Sequence, residues 1–188
     1  WEYVDRPACP IQSLWSINPD GTALAGYYGN RVIAPGTFMD SQSIPGTQKI
    51  ICLATNHNGD CRGGICVVDR SKGVNAREAV RNVTPEVDVG LVDRGNGNHI
   101  RGPYESPFPL DDRHFLVSCF GTVLLRDYDG SEQTTILRRR GALGFYTPRP
   151  VMPRNRPALR SASYESTDRR WASVFVEDVY EGLESCDS

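Results

Sequence analysis

Four stretches of this chain share one form: an apolar-alternating run enters a turn containing Asp and Gly, and an extended run leaves it. They are Ser13-Leu14-Trp15-Ser16-Ile17-Asn18-Pro19-Asp20-Gly21-Thr22, Val67-Val68-Asp69-Arg70-Ser71-Lys72-Gly73, Leu124-Leu125-Arg126-Asp127-Tyr128-Asp129-Gly130 and Val174-Phe175-Val176-Glu177-Asp178-Val179-Tyr180-Glu181-Gly182. Alternation at a period of two puts successive side chains on opposite faces of a strand, and Gly supplies the positive φ that a tight reversal needs. A chain punctuated this way folds as short strands and hairpins. No segment carries a sustained 3.6-residue apolar period, so substantial helix is not expected.

The hairpins fall inside larger units. Residues 1–30 hold two extended segments, 12–18 and 22–28, joined by Pro19-Asp20-Gly21, which is half of a four-stranded unit. Residues 37–84 predict a full unit with strands at 38–44, 49–55, 64–69 and 80–84; the stretch 76–81 fits a single helical turn as an alternative. Residues 103–137 repeat the order with strands at 104–110, 114–119, 122–127 and 134–137. A degraded unit covers 145–182, with strands at 145–151 and 171–178. The opening strand of each later unit is a second landmark in the same order: Asp40-Ser41-Gln42-Ser43-Ile44-Pro45, Glu105-Ser106-Pro107-Phe108-Pro109-Leu110 and Thr147-Pro148-Arg149-Pro150-Val151-Met152-Pro153.

Four-stranded repeats of roughly 40 to 50 residues predict an all-β chain built as blades of a β-propeller. The expectation is a single partial propeller over residues 1–188, with about three and a half blades. A partial ring leaves two blade faces open. The chain therefore belongs to a larger ring, closes as an unusual small one, or pairs with another chain, a second copy included. The start at Trp1, with neither Met nor a signal-peptide pattern, favours a piece of a longer polypeptide.

Charge and composition narrow the partners. With 21 Lys and Arg against 23 Asp and Glu, the net charge of −2 supplies no field to draw the chain onto nucleic acid or an acidic membrane. No apolar run approaches the ~20 residues of a membrane-spanning helix. Of the 6 cysteines, Cys52 and Cys119 sit in apolar strand-like runs and are expected to be buried and inert. Cys9, Cys61, Cys66 and Cys186 lie in polar surroundings that suit disulfides or metal.

Trp1-Glu2-Tyr3-Val4-Asp5-Arg6, Gln12-Ser13-Leu14-Trp15 and Asn18-Pro19-Asp20-Gly21-Thr22 resemble the repeats of TolB-like and WD40-like propellers. Together with Pro103-Tyr104-Glu105-Ser106-Pro107-Phe108-Pro109-Leu110 and Phe175-Val176-Glu177-Asp178-Val179-Tyr180-Glu181-Gly182-Leu183, they are similar to the middle, propeller-forming domain of the hydrazine synthase alpha subunit family. The resemblance implies a periplasmic or extracellular protein in which a propeller is fused to c-type haem domains. In that family one haem has a tyrosine ligand and a zinc ion lies nearby. The chain departs from the pattern in having no Cys-x-x-Cys-His, the segment that supplies two thioethers and an axial imidazole to haem c. Haem c or zinc would then belong to the parent protein, and no cofactor is expected in this chain alone.

Two loops hold the residues weighed for chemistry. His57 and Cys61, in Asn56-His57-Asn58-Gly59-Asp60-Cys61, combine the nitrogen and sulfur donors that zinc prefers, while a Cys61–Cys66 disulfide competes for the same thiol. His99 and Tyr104 close the long Gly- and Asn-rich passage 88–102. If the family's tyrosine-ligated haem has a counterpart here, Tyr104 is its phenolate, with His99 nearby and Arg101 favouring the charged form; otherwise Tyr104 packs at the start of a blade. His114 is expected to be structural. Asn82-Val83-Thr84 fits a glycosylation sequon, residues 127–132 a solvated turn rather than a calcium loop, and Arg138-Arg139-Arg140 a solvated cluster. No catalytic residue is assigned. Two functions stay open: a non-catalytic binding or scaffold module of a larger extracytoplasmic protein, or a piece of a multihaem redox enzyme contributing a Tyr haem ligand and a zinc ligand.

Overall fold

The computed structural model describes residues 2–4, 11–32, 34–57, 60–90 and 99–153. The chain divides into a unit Trp1–Asn155 and a unit Arg156–Ser188. The second unit lies outside the described residues, and with it the strand expected at 171–178, the fourth hairpin and Cys186; so does Cys9.

The first unit is all-β, as the turn-punctuated sequence predicts. Its first seven strands form one sheet: β1 (Glu2–Val4), β2 (Ile11–Ser16), β3 (Ala25–Tyr28), β4 (Thr37–Ser43), β5 (Ile50–Thr55), β6 (Gly64–Val68) and β7 (Val80–Asn82), in the order β1-β2-β4-β5-β6-β7 with β3 on β2. A second sheet has the order β11-β10-β9-β8, from β8 (Tyr104–Pro109), β9 (His114–Cys119), β10 (Thr122–Asp127) and β11 (Gln133–Leu137). Strands β4 to β7 and β8 to β11 are thus two successive four-stranded antiparallel meanders, at the positions the repeat predicts. The hairpin expected within residues 1–30 is present as β2 and β3. It joins the edge of the first meander through a parallel pair, Gln12 opposite Thr37. The ambiguity at 76–81 resolves into both alternatives in turn, a 3-10 turn Arg77–Ala79 and then β7.

Carboxylates and amides set the reversals. Asp20 accepts from the Thr22 amide at 3.0 Å, Asp69 from the Ser71 amide at 3.2 Å, and Asn82 from the Thr84 amide at 2.9 Å. Each side chain imitates a backbone turn two residues on, the reason Asp and Asn punctuate strands. Asn82 also donates to the Val87 carbonyl at 2.8 Å, and the Thr84 side chain is fully buried, so the sequon is an internal turn. Asp111 accepts from the Arg113 and His114 amides and faces the His114 ring, a structural role for that histidine.

The core lies where the sheets meet. Strand β8 packs across β4, β5 and β6. Strands β5 and β6 are buried along nearly their whole length, with Ile51, Leu53, Ile65 and Val68 fully enclosed. Phe115 and Val117 of β9 complete this core. Cys66, expected in a polar loop, instead lies on β6 directly opposite Cys52, both fully buried. Cys61 is exposed, so the two members of the expected Cys61–Cys66 alternative sit in core and solvent, and both are free thiols. Burial pushes the Cys66 thiol up to about 12.

The opening strands of both meanders carry the same irregularity. Pairing slips between Met39 and Gln42 in β4 and between Glu105 and Phe108 in β8. At each bulge a non-glycine residue is left-handed, Asp40 at φ 51 and Ser106 at φ 53, and Thr147 repeats it at φ 47. The backbone therefore aligns Asp40 with Ser106 rather than with Glu105, a shift of one residue from the landmark read in the sequence.

Candidate functional site

The two sheets are stitched at one end by a short antiparallel bridge. Gly63 donates to the Tyr104 carbonyl at 2.9 Å and accepts from the Tyr104 amide at 3.3 Å. Glycine is required there, because a Cβ on Gly63 would lie 2.0 Å from the Ala54 carbonyl oxygen. Gly102 is held as closely, its added Cβ 2.3 Å from the Gly63 oxygen. Beside the bridge, the buried Asn56 donates to the Ile100 carbonyl at 3.0 Å. The structure therefore brings the His57 loop and the His99 loop together through their backbones.

Beneath the bridge is a charged cluster. The Tyr104 hydroxyl donates to Glu86 at 2.5 Å, and Arg126 of β10 donates to Glu86 at 2.6 Å and to the Tyr104 oxygen at 2.5 Å. The Arg126 guanidinium also lies over the Tyr104 ring, 5.0 Å from its centroid. Only 6% of Arg126 is exposed, so Glu86 supplies the countercharge that makes its burial tolerable. Burial alone would raise the Glu86 carboxyl, but hydrogen bonds from Arg126 and Tyr104 outweigh it and hold the group below its ordinary value. For Tyr104, burial and then the Glu86 hydrogen bond raise the phenol above its ordinary value. Arg126, not Arg101, is the cation at the hydroxyl; Arg101 donates to the Ile100 carbonyl at 2.8 Å.

The other expected site residues are apart from this cluster. His99 faces Asp88 at 3.5 Å. Cys61 is exposed beside the Asp60–Arg62 pair. Among the described residues, no three His, Cys, Asp or Glu side chains converge as a metal site.

What occupies the loop end is a cleft of about 380 Å³, lined by Asp60, Arg62, Arg101, Gly102, Pro103 and Phe120. Phe120 forms the reversal between β9 and β10 together with Gly121, at φ 47 and 78. A bulky side chain is disfavoured at such a φ, where Asn or Gly is the ordinary choice. Phe120 is nonetheless 54% exposed, so its placement gains little burial. The surroundings enforce it: Arg139 donates to the Phe120 carbonyl at 3.4 Å, Phe145 donates to the Gly121 carbonyl at 2.8 Å, and an added Cβ on Gly121 would meet the Gly144 Cα at 2.7 Å. Arg62 lies over the ring, 5.4 Å from its centroid, while paired with Asp60. The hydrogen bond from Arg62, and to a lesser degree the charges of Arg62 and Arg101, hold the Asp60 carboxyl low. Two guanidinium groups line the cleft beside an aromatic face, with the carboxylates of Asp60 and Glu105 in electrostatic reach of Arg62.

Phe120 and Arg62 were not singled out from the sequence. A signal existed: Phe120-Gly121 sits between two strands where Asn-Gly would be expected, and a turn residue that offends its backbone points to use. No family model matches the chain, and no curated protein or solved structure matches it either. The likeness to the hydrazine synthase alpha family rests on the quoted strings alone.

Proposed function

We propose that this chain is a β-propeller-like binding module of a larger extracytoplasmic protein, non-catalytic alone, and that it takes ligands at the cleft around Phe120. The propeller part of the reading is supported by the two successive meanders and by the bulge that recurs in their opening strands. Its missing blades would come from the rest of a parent polypeptide or from another subunit. The binding part is carried by one observation: an exposed aromatic ring held on a left-handed turn, with Arg62 on its face and Arg101 lining the same cleft. Strained, over-determined residues cluster where a surface is used rather than where it is only folded.

The chemistry favours an anionic ligand with a flat apolar body. A carboxylate on such a ligand would accept charge-assisted hydrogen bonds from guanidinium, and its body would pack on the Phe120 ring. Calorimetric titration with benzoate tests this, with acetate and benzylamine as the two half-ligands. Saturable benzoate binding, at least about tenfold tighter than either half-ligand, is expected from one charge-assisted contact plus ring packing. Equal affinity for benzylamine, or no saturation with benzoate, would remove the reading.

A further inference from the structure

The second meander ends in an open edge. Strand β11 lies at one end of the order β11-β10-β9-β8, and its five residues, Gln133-Thr134-Thr135-Ile136-Leu137, are all exposed. An unpaired strand edge is a template for another strand, and chains commonly blunt it by keeping it short or charged. Strands β1 and β7, at the two ends of the first sheet's path, follow that rule: each is three residues long and contains a charged residue, Glu2 or Arg81. Strand β11 is longer and has neither charge nor proline within it.

Its backbone is aimed outward where the strand is regular. The Glu132 carbonyl accepts from the Asp127 amide at 3.3 Å and so faces β10. Backbone groups alternate sides along a strand, which turns those of Gln133 and Thr135 away from β10. The pairing with β10 then slips, leaving Ile136 as the extra residue, half exposed next to the half-exposed Leu137. The flanks carry opposite charges: Glu132 stands directly before the strand and Arg138-Arg139-Arg140 directly after it, all exposed. Arg139 donates to the Phe120, Gly141 and Ala142 carbonyls, so the cation at the strand end is Arg138.

We propose that β11 pairs antiparallel with β11 of a second copy of this chain, about a two-fold axis at Thr135. Pairing centred there sets Ile136 of one protomer opposite Thr134 of its partner, Leu137 opposite Gln133, and Arg138 opposite Glu132. Each pair occurs twice, because the axis is two-fold. β-branched and opposite-charge residues are favourable directly opposite partners. The stretch is complementary to itself only when reversed: a parallel pair in register would set Glu132 against Glu132 and arginine against arginine, which is destabilising. One short edge pair is a small interface of the weak class, for which a Kd of about 0.01–1 mM is expected. At about 1 µM the chain is then monomeric, with β11 exposed.

Sedimentation equilibrium of the full chain between about 1 µM and 1 mM tests this, at low and at high salt. The expected result is a reversible monomer–dimer equilibrium that weakens at high salt, where the flanking charges are screened. Glu132→Arg and Arg138→Glu should each weaken the dimer at least about tenfold, and the double variant should recover it, since the swap restores opposite charges across the axis. Thr135→Pro should abolish the dimer, because it removes an amide aimed away from β10 and needed only by a second strand. These exposed positions tolerate the changes, which urea unfolding at about 1 µM checks. The proposal is overturned if the wild type is monomeric at about 1 mM or assembles past a dimer, which a closed two-fold forbids. It is equally overturned if either single charge change leaves the dimer as strong as before, or if the double variant does not recover it. Thr135→Pro should leave benzoate binding intact, so failure here and failure at the Phe120 cleft are separable.

Discussion

The meander β4 to β7 and the meander β8 to β11 have the same strand order and the same bulge in their opening strand, but they are covered differently. In the first, β5 and β6 are buried on both faces. In the second, burial fades outward, from the half-covered β9 and β10 to β11, whose five residues are all exposed. The repeat therefore fixes the path of the chain without fixing its stability, which depends on what packs against each blade. Stability concentrates in the first meander and in β8 and β9 where they lie on it.

Substitutions should reproduce that gradient. Leu53→Ala, deep in β5, is expected to destabilise by about 2–5 kcal/mol in urea unfolding, the transfer and cavity cost of a core leucine. Gly63→Ala attacks the stitch between the meanders, where a Cβ has backbone rather than a yielding side chain in its way; about 1–3 kcal/mol of strain is expected. If Gly63→Ala is neutral, the bridge does not hold the sheets together. Glu86→Gln weakens the cluster that ties residues 82–90 to β8 and β10. The folded-state pKa of Glu86 is depressed, so its stabilisation is present above the ordinary value of 4.5 and lost as pH falls through the folded value. The wild type and Glu86→Gln should therefore differ most near neutrality and converge below pH 4.5, as read from urea midpoints at each pH. Ile136→Ala on the exposed β11 should change stability by no more than about 0.5 kcal/mol. A large effect there would mean that β11 is covered in solution and would erase the contrast.

Much of this fold was legible. The strands β4 to β11 follow from Asp, Asn and Gly punctuation and from alternation, because those signals act within a few residues. The cluster was not legible, since Glu86, Tyr104 and Arg126 come from three separate segments and only the stacking of β8 on the first sheet joins them. Reading Arg101 as the cation at Tyr104 relied on sequence proximity, whereas the sheet geometry supplies Arg126 from β10. Cys66 misled for a similar reason: its Gly-rich approach looks like a loop, but Gly63 and Gly64 are small because the Ala54 carbonyl of β5 and the Thr84, Val87 and Val89 side chains lie close to them.

Phe120 tests the account most directly, since its side chain opposes its own turn. Asn accepts φ near 47, so Phe120→Asn should raise stability by about 0.4–1 kcal/mol, by analogy with other substitutions that suit the native backbone. The same variant should lose at least about tenfold in benzoate affinity in a calorimetric titration. A variant that is more stable and binds poorly is the predicted result; one that binds benzoate as tightly as the wild type contradicts the claim that the Phe120 cleft is the binding site.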